Sequence, residues 1–214
     1  MSSPSLTSTV QSLLARGKGI LAADESLPTI GKRFKALALP STEENRRAYR
    51  ELLLTTPALN ESISGVILFD ETLRQKTSRG IPMAEVLTRQ GIVPGIKVDR
   101  GTTALPRFDG EKFTAGLDGL RDRLAEYFTL GARFTKWRAV ISVTDVLPSR
   151  TCLETNARAL ALFAALSQEA GLVPIVEPEV LMDGNHTLER CEEVTTVALE
   201  IVFTALAPHR VALE

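Results

Sequence analysis

The feature that most constrains the fold is a short apolar run that recurs along the chain and ends each time in polar or ionisable residues. The runs start at Gly19, Gly65, Val93, Phe134 and Val173. They recur every ~30–45 residues with helix-like segments between them, which is typical of repeated βα units around a parallel sheet. Residues 211–214 resemble the opening of one more run. The sequence therefore predicts an α/β fold with about five βα units plus the start of strand six.

Two parallel architectures fit this pattern, an open doubly wound sheet and a (β/α)₈ barrel. Ionisable residues stand at the carboxyl ends of successive runs, namely Asp24, Asp70, Lys97, Lys136 with Arg138, and Glu177 with Glu179. A barrel brings all of these ends to one mouth, whereas an open sheet spreads them along an edge. The sequence therefore favours an incomplete (β/α)₈ TIM barrel, in one domain that spans residues 1–214.

Residues 173–179 form an apolar run that ends in two carboxylates. Such a run predicts a strand that helices cover on both faces. Because side chains alternate in an extended chain, Glu177 and Glu179 would point the same way. Paired carboxylates suit acid/base chemistry, and the alternative is a strand that leads into a solvated acidic loop.

Three cations also lie inside apolar runs: Lys97, Lys136 and Arg138. Lys136 and Arg138 are two residues apart, so they would share one face of their strand. A partly desolvated lysine can act as an amine nucleophile near neutral pH. The alternative for each lysine is an edge position with its ammonium group in water.

A second candidate feature is the helix start that follows Asp24. Ser26, Pro28 and Thr29 stand at its first turn, and Arg33 follows about two turns later. Hydroxyl groups and free backbone N–H groups at a helix start suit a phosphate. The alternative is that Ser26 is an ordinary helix cap and Arg33 is solvated.

Three further expectations concern helix boundaries. Ser41 and Thr151 each stand three residues before a glutamate, which predicts that each caps a helix. Residues 114–130 predict one continuous helix that ends at Gly131.

The composition excludes several classes of protein. The net charge of −1 argues against a general nucleic-acid or anionic-membrane surface. Two cysteines do not make a disulfide framework, and they fit a reducing compartment. Neither a signal peptide nor a membrane-spanning run is recognisable. We expect a soluble cytoplasmic protein with no nucleic-acid and no membrane partner.

The motifs of the chain argue against a metal site and a dinucleotide site. The Gly17-Lys18-Gly19 segment precedes its strand, so it is not a dinucleotide-binding fingerprint. His186 and His209 show no ligand spacing, so we expect no metal site. The sequence therefore predicts chemistry that depends on lysine and carboxylate groups.

At these residues the chain resembles the class I fructose-bisphosphate aldolases. The segments that carry the resemblance, in order, are residues 18–26, 42–47, 65–69, 95–99, 136–138 and 173–179. The family is a (β/α)₈ barrel that needs no metal or other cofactor. It cleaves fructose 1,6-bisphosphate to dihydroxyacetone phosphate and glyceraldehyde 3-phosphate through a lysine Schiff base, and its members are usually homotetramers.

The resemblance implies catalytic roles for four residues. Asp24 resembles the carboxylate that handles the C4-hydroxyl proton during carbon–carbon cleavage. Glu177 resembles the general acid/base that forms and hydrolyses the Schiff base, and Glu179 its supporting carboxylate. Lys136 resembles the cation that stabilises developing negative charge, with Arg138 beside it as a substrate-binding residue.

The resemblance also implies a phosphate-binding set. Ser26, Thr29 and Lys97 correspond to residues that hold the distal phosphate of the sugar. Arg33 matches a substrate-contacting arginine, and Arg46 is a weaker candidate.

The chain departs from the family pattern in two places. Residues 27–29 read Leu-Pro-Thr, where animal enzymes have Thr-Gly-Ser. Residues 211–214 match the opening of the active-site signature, but the Schiff-base lysine of the family follows a few residues later. The expectation is therefore a C-terminally truncated aldolase barrel that is inactive as written. The alternatives are a non-catalytic aldolase-like scaffold module, or another aldolase, or a transaldolase-like enzyme, in which Lys136 is the nucleophile.

Overall fold

The computed structural model of the chain describes residues 5–213. The strands are β1 (Gly19–Ala23), β2 (Ile63–Leu68), β3 (Val93–Lys97), β4 (Thr102–Ala104), β5 (Lys112–Thr114), β6 (Phe134–Ile141) and β7 (Val173–Val180). The helices are α1 (Leu6–Leu13), α2 (Leu27–Ala36), α3 (Glu43–Leu54), α4 (Leu59–Ser62), α5 (Asp70–Arg74), α6 (Met83–Arg89), α7 (Leu120–Thr129), α8 (Arg150–Glu169) and α9 (Leu188–Leu206). A 3₁₀ turn at Ala207–His209 follows α9.

Five strands form one sheet in the order β1-β2-β3-β6-β7, which is also their order along the chain. β1, β2 and β3 pair in parallel, with Ala23 opposite Leu68 and Leu68 opposite Ile96. A doubly wound sheet reverses its strand order at a switch point, whereas a (β/α)₈ barrel adds each strand beside the previous one. The prediction of an incomplete barrel is therefore confirmed.

The described residues divide into two compact units. The first comprises the residues up to Lys97, together with Ala125–Thr135 and Gly171–Val173. The second comprises Val98–Leu124, Lys136–Ala170 and the residues from Pro174 onward. The prediction that residues 1–214 form a single domain stays a prediction.

In the first unit, one aromatic ring fills the space above two strands. A Cβ added to Gly95 on β3 would lie 2.2 Å from a ring carbon of Phe134. A Cβ added to Gly65 on β2 would lie 2.5 Å from the Leu13 side chain and 3.2 Å from the same ring. Real Cβ contacts are not as short as 2.2 Å, so position 95 needs glycine because the phenyl ring occupies the side-chain space, whereas a side chain at position 65 would require the end of Leu13 to move.

In the second unit, Trp137 of β6 is fully buried and packs against Phe163 of α8, with ring centroids 5.5 Å apart. Alternate residues of a strand face opposite sides, so Trp137 lies on the helix-covered side of β6 and Lys136 and Arg138 on the other. The prediction that these two cations share one face is consistent with this arrangement.

Two predicted helix caps were wrong by one or two residues. Thr42, and not Ser41, caps α3 by accepting a hydrogen bond from Asn45 N at 3.2 Å. Ser149, and not Thr151, caps α8 by accepting from Cys152 N at 3.1 Å. The Glu111 carboxylate also accepts hydrogen bonds from the backbone N–H and the hydroxyl of Ser149, which fixes the start of α8 there.

The prediction of one helix over residues 114–130 was also wrong. Thr114 belongs to β5, which forms an antiparallel hairpin with β4. Its N–H donates to the buried Asn156 Oδ1 at 3.2 Å, and Gly116 and Gly119 adopt positive φ angles of 131° and 63°. The helix begins only at Leu120 because these interactions and turns hold the preceding backbone in an extended path.

β7 is less buried than the sequence indicates. All eight of its residues are half-buried, whereas five of the six residues of β2 are fully buried. β7 is the last strand in the strand order of the described residues. Residues 173–179 form the predicted strand, and the prediction that helices cover it on both faces stays a prediction.

Residues 211–213 do not form the predicted sixth strand, and residue 214 lies outside the described residues. Instead, both backbone polar groups of Ala212 form hydrogen bonds with the Gln168 side chain. Gln168 Nε2 donates to the Ala212 carbonyl at 2.8 Å, and Gln168 Oε1 accepts from the Ala212 N–H at 2.9 Å. Between residues 5 and 213 no helix has the length and apolar character needed to cross a membrane.

Candidate active site

The predicted site residues fall into two groups, one in each unit. Lys136, Arg138, Glu177 and Glu179 belong to the second unit, and the remaining candidates, Asp24, Ser26, Thr29, Arg33 and Lys97, to the first.

In the second unit, β6 and β7 hold two parallel ion pairs. Lys136 Nζ lies 3.0 Å from Glu177 Oε2, and the Arg138 guanidinium contacts the Glu179 carboxylate. The cations are two residues apart on one strand and the carboxylates two apart on the other, so the pairs form consecutive rungs on one face. The structure therefore brings together four side chains that the sequence analysis selected.

The two rungs differ in solvent exposure. The Lys136 side chain is 10% exposed and that of Glu177 is 34% exposed. The second rung is more open, with 41% exposure for Arg138 and 38% for Glu179. A mostly covered ammonium group beside an accessible carboxylate can stabilise negative charge while the carboxylate exchanges protons with a ligand.

Side chains that sequence analysis did not select hold the backbone of this ladder. Asp99 Oδ2 accepts from Arg138 N at 3.3 Å, and Asp99 Oδ1 accepts from Gly101 N at 3.0 Å. The Thr114 hydroxyl donates to Arg138 O at 2.8 Å. Both backbone polar groups of Arg138 are thus fixed by side chains, which holds this end of β6 in place.

Cys152 does not offer an alternative nucleophile in this unit. It is buried, and burial together with the negative charge of Glu111 raises the pKa of its thiol to about 11. The thiol therefore stays protonated at neutral pH, and the thiolate is the reactive form of cysteine.

In the first unit, the carboxyl end of β1 carries two acidic residues in different surroundings. Asp24 directly follows the last residue of β1 and is buried. Glu25 uses one carboxylate oxygen for Arg33 of α2 and the other for Arg50 of α3. Arg50 Nη2 also donates to the backbone carbonyl of Glu25 at 3.2 Å, so the segment that follows β1 is attached to both helices.

The pKa of the Glu25 carboxyl group is the net result of burial and of its arginine partners. Burial raises the pKa of its carboxyl group, but the hydrogen bond and charge of Arg50, together with the charge of Arg33, outweigh burial and hold the pKa below its usual value. Sequence analysis missed Glu25 and Arg50. The position of Glu25 directly after a strand end was a usable signal, whereas no local pattern distinguishes Arg50 from its charged neighbours on α3.

The predicted phosphate-binding residues of α2 lie at its first turns. Ser26 occupies the N-cap position, but its hydroxyl makes no cap bond to a backbone N–H and instead lies 3.1 Å from the Thr29 hydroxyl. The first-turn N–H groups of α2 therefore lack the expected side-chain cap from Ser26. Arg33 is directed to Glu25, and Lys97 ends β3 in a half-buried position.

Arg46, the weaker candidate, makes a bidentate ion pair. Its Nε and Nη2 atoms donate to the two oxygens of Glu71 at 2.8 and 2.7 Å, and a third nitrogen donates to Ser41 O at 2.5 Å. The guanidinium therefore joins α3 to α5, which gives Arg46 a structural role in this conformation.

Residues 5–213 contain no group of three or more His, Cys, Asp or Glu side chains that is placed to hold a metal ion. In the second unit, the ladder of β6 and β7 brings two cations and two carboxylates together. They can bind an anionic polar ligand and transfer protons to it.

The chain matches the family described as "Fructose-bisphosphate aldolase class-I" over residues 5–214. It is 59% identical over its whole length to a "Probable fructose-bisphosphate aldolase class 1" of Xanthomonas axonopodis pv. citri, and covers 64% of that protein. It is 53% identical over 98% of its length to the fructose-bisphosphate aldolase of Dictyostelium discoideum, and covers 59% of it. A cytosolic fructose-bisphosphate aldolase of Arabidopsis thaliana shares 53% identity over 92% of the chain, which covers 50% of that relative.

A solved structure is similar as well. The fructose-bisphosphate aldolase of Plasmodium falciparum, in a co-crystal with TRAP and a small molecule inhibitor, superposes with a TM-score of 0.92 at 50% identity. The match covers 94% of this chain and 58% of that one. The chain thus spans about three-fifths of the length of the relatives it matches. By the extent of the family match and the level of identity, the chain belongs to the class I fructose-bisphosphate aldolase family.

Proposed function

We propose that the whole protein is a class I fructose-bisphosphate aldolase. It cleaves fructose 1,6-bisphosphate reversibly to dihydroxyacetone phosphate and glyceraldehyde 3-phosphate through a lysine Schiff base. The observation that carries this proposal is the ion-pair ladder of β6 and β7, because it puts an accessible carboxylate 3.0 Å from a mostly covered ammonium group. Schiff-base chemistry needs a group that moves protons next to a group that stabilises negative charge.

In this proposal Glu177 is the general acid/base and Lys136 stabilises the negative charge that develops on the substrate. Glu179, paired with Arg138, supports Glu177, and Arg138 binds substrate. Asp24 takes the C4-hydroxyl proton during cleavage. The family resemblance supports each role, and the burial of Asp24 supports a carboxylate that acts in a water-poor environment.

The phosphate-binding side chains in this proposal are Ser26, Thr29, Lys97 and Arg33. The hydroxyls of Ser26 and Thr29 lie together at the start of α2, where helix N–H groups favour an anion. We also propose that residues 1–214 belong to a single barrel domain of a cytoplasmic homotetramer that uses no metal or other cofactor.

Lys136 is a poor candidate for the nucleophile. It lies in an ion pair with Glu177, and an ammonium group has no free electron pair with which to attack a carbonyl. In the family, the nucleophilic lysine follows the segment that matches residues 211–214.

Borohydride trapping tests the proposal directly. The whole protein is incubated with dihydroxyacetone phosphate and reduced with sodium borohydride, and the modified peptide is mapped. A single adduct outside residues 1–214, together with cleavage of fructose 1,6-bisphosphate, is the expected result. An adduct on Lys136 would support the alternative aldolase. Absence of any adduct and of cleavage would support a scaffold module.

A further inference from the structure

Glu25 forms ion pairs with two arginines that differ in their exposure to solvent. Arg33 contacts Oε1 and Arg50 contacts Oε2, so both oxygens of one carboxylate are used. The side chain of Glu25 is 10% exposed, that of Arg50 is 3% exposed and that of Arg33 is 57% exposed. One arginine is therefore enclosed with the carboxylate, while the other reaches it from solvent.

Arg50 is fixed by more than its charge. Its guanidinium also donates to the Glu25 carbonyl at 3.2 Å and lies 5.4 Å from the centre of the Tyr49 ring. Tyr49 in turn packs edge-on against Phe34, with ring centroids 5.8 Å apart. Separating a buried pair of this kind leaves an uncompensated charge in the interior, so Arg50 stays with Glu25.

The Arg33 side chain is 57% exposed, and an ion pair that is open to solvent is weak because water screens it. If Arg33 leaves, Glu25 remains neutralised by Arg50. Ser26, Thr29 and Arg33 are spaced by three and four residues, so they lie along one face of α2. The long Arg33 side chain can therefore extend along this face toward an anion that is bound at the start of α2.

We propose that Glu25 is a positioning residue that docks Arg33 when no ligand is present and releases it to a phosphate group of the substrate. Arg50 is the fixed partner that makes the release possible, because it keeps the carboxylate paired. The inference rests on the proposed function in one respect, namely that the start of α2 receives a substrate phosphate.

Docking has a measurable consequence for affinity. While Arg33 is docked it cannot bind phosphate, so the apparent dissociation constant is the intrinsic constant divided by the undocked fraction. Removing the charge of Glu25 frees Arg33 and should tighten phosphate binding by about 3–10-fold. A residue that only supports the fold would have the opposite effect, since its loss loosens the site.

The experiment is a titration of the unmodified full chain with inorganic phosphate, followed by the arginine Nε–Hε resonances in ¹H–¹⁵N spectra. The Arg33 resonance should shift and saturate, while that of Arg50 stays in place. Arg33→Gln assigns the resonance and should weaken phosphate binding. Glu25→Gln should tighten phosphate binding, and Glu85→Gln, which removes an exposed partner of Arg89 in the same unit, should leave it unchanged.

Several results would overturn the proposal. One is an Arg33 resonance that ignores phosphate, and another is an Arg50 resonance that moves with it. Weaker phosphate binding by a folded Glu25→Gln variant would also count against it. If Glu25→Gln does not fold, the titration of the unmodified protein decides alone. If the whole protein cleaves fructose 1,6-bisphosphate but the Arg33 resonance does not shift with phosphate, this inference fails and the proposed function stands. If the Arg33 resonance shifts with phosphate but the whole protein does not cleave fructose 1,6-bisphosphate, the proposed function fails and the release of Arg33 to phosphate stands.

Discussion

The two units of the molecule use ion pairs at their strand ends in different ways. In the first, Glu25 and Arg50 form an enclosed pair with side-chain exposures of 10% and 3%. In the second, Arg138 and Glu179 form a pair that is about two-fifths exposed on each side. Enclosed charges hold elements together because their separation is costly, whereas exposed charges remain available to a ligand. The Glu25–Arg50 pair is therefore suited to holding β1, α2 and α3 together, and the ladder of β6 and β7 is suited to contact with a ligand.

The largest expected effect is on stability in the first unit. Arg50→Met keeps the apolar stem of the side chain and leaves Glu25 without its buried partner. We expect the free energy of unfolding to fall by about 3–5 kcal/mol, as measured by urea denaturation. Arg150→Gln removes the exposed partner of Glu154 and serves as the control, which should unfold like the unmodified protein. A loss below about 1 kcal/mol for Arg50→Met would contradict the enclosed pair.

The next effect concerns the chemistry of the ladder. If the proposed function holds, Lys136→Met in the whole protein should lower kcat for fructose 1,6-bisphosphate cleavage by about 10²–10³-fold, because it removes the charge proposed to stabilise the transition state. Steady-state kinetics on the purified variant measure this. Arg121→Gln, which removes a surface partner of Glu169 in the same unit, is the matched control. Unchanged kcat for Lys136→Met would show that Lys136 has no part in the reaction.

A smaller effect is expected from acid. The pKa of Glu25 is lowered in the folded chain from its usual 4.5, so its ion pairs stabilise the fold above that pH and lose this contribution as pH falls further. Stability measured by urea denaturation should therefore decline below about pH 4.5 more steeply in the unmodified protein than in Glu25→Gln. Parallel pH profiles for the two proteins would rule out this role of Glu25.

The smallest effect should come from the open rung of the ladder. Arg138→Gln removes a pair that solvent screens, so we expect the free energy of unfolding to change by no more than about 1 kcal/mol. Urea denaturation beside Arg50→Met makes the contrast quantitative. A loss as large as that of Arg50→Met would erase the difference between the two regions.

The sequence contained enough to predict which side chains of the ladder share a face, and too little to predict the enclosed pair. Period-two spacing in Lys136–Arg138 and in Glu177–Glu179 is a local property of extended chain, so the common face within each strand was predictable and the pairing between the strands was not. Arg50 meets Glu25 across 25 residues of sequence, and nothing local on α3 distinguishes the arginine that turns inward.

Local sequence patterns predicted the ends of β1 better than they predicted the starts of helices. β1 begins and ends where its apolar run does, at Gly19 and Ala23. The predicted caps of α3 and α8 were one or two residues away from the observed caps, because several neighbouring hydroxyl groups can cap a helix. Contacts from distant residues, such as Glu111, determine which hydroxyl does so. The β4–β5 hairpin was missed since its hydrogen bonds to Asn156 and Arg138 come from distant segments.

The position of Phe134 affects which substitutions the chain can accept during evolution. Its ring stands where a side chain at position 95 would otherwise be, so these two sites share one volume. A methyl group added at Gly95 collides with the ring, and a smaller residue at position 134 leaves a void, while the two changes together can offset each other. Substitutions here are therefore expected to be tolerated in combination and rejected one at a time.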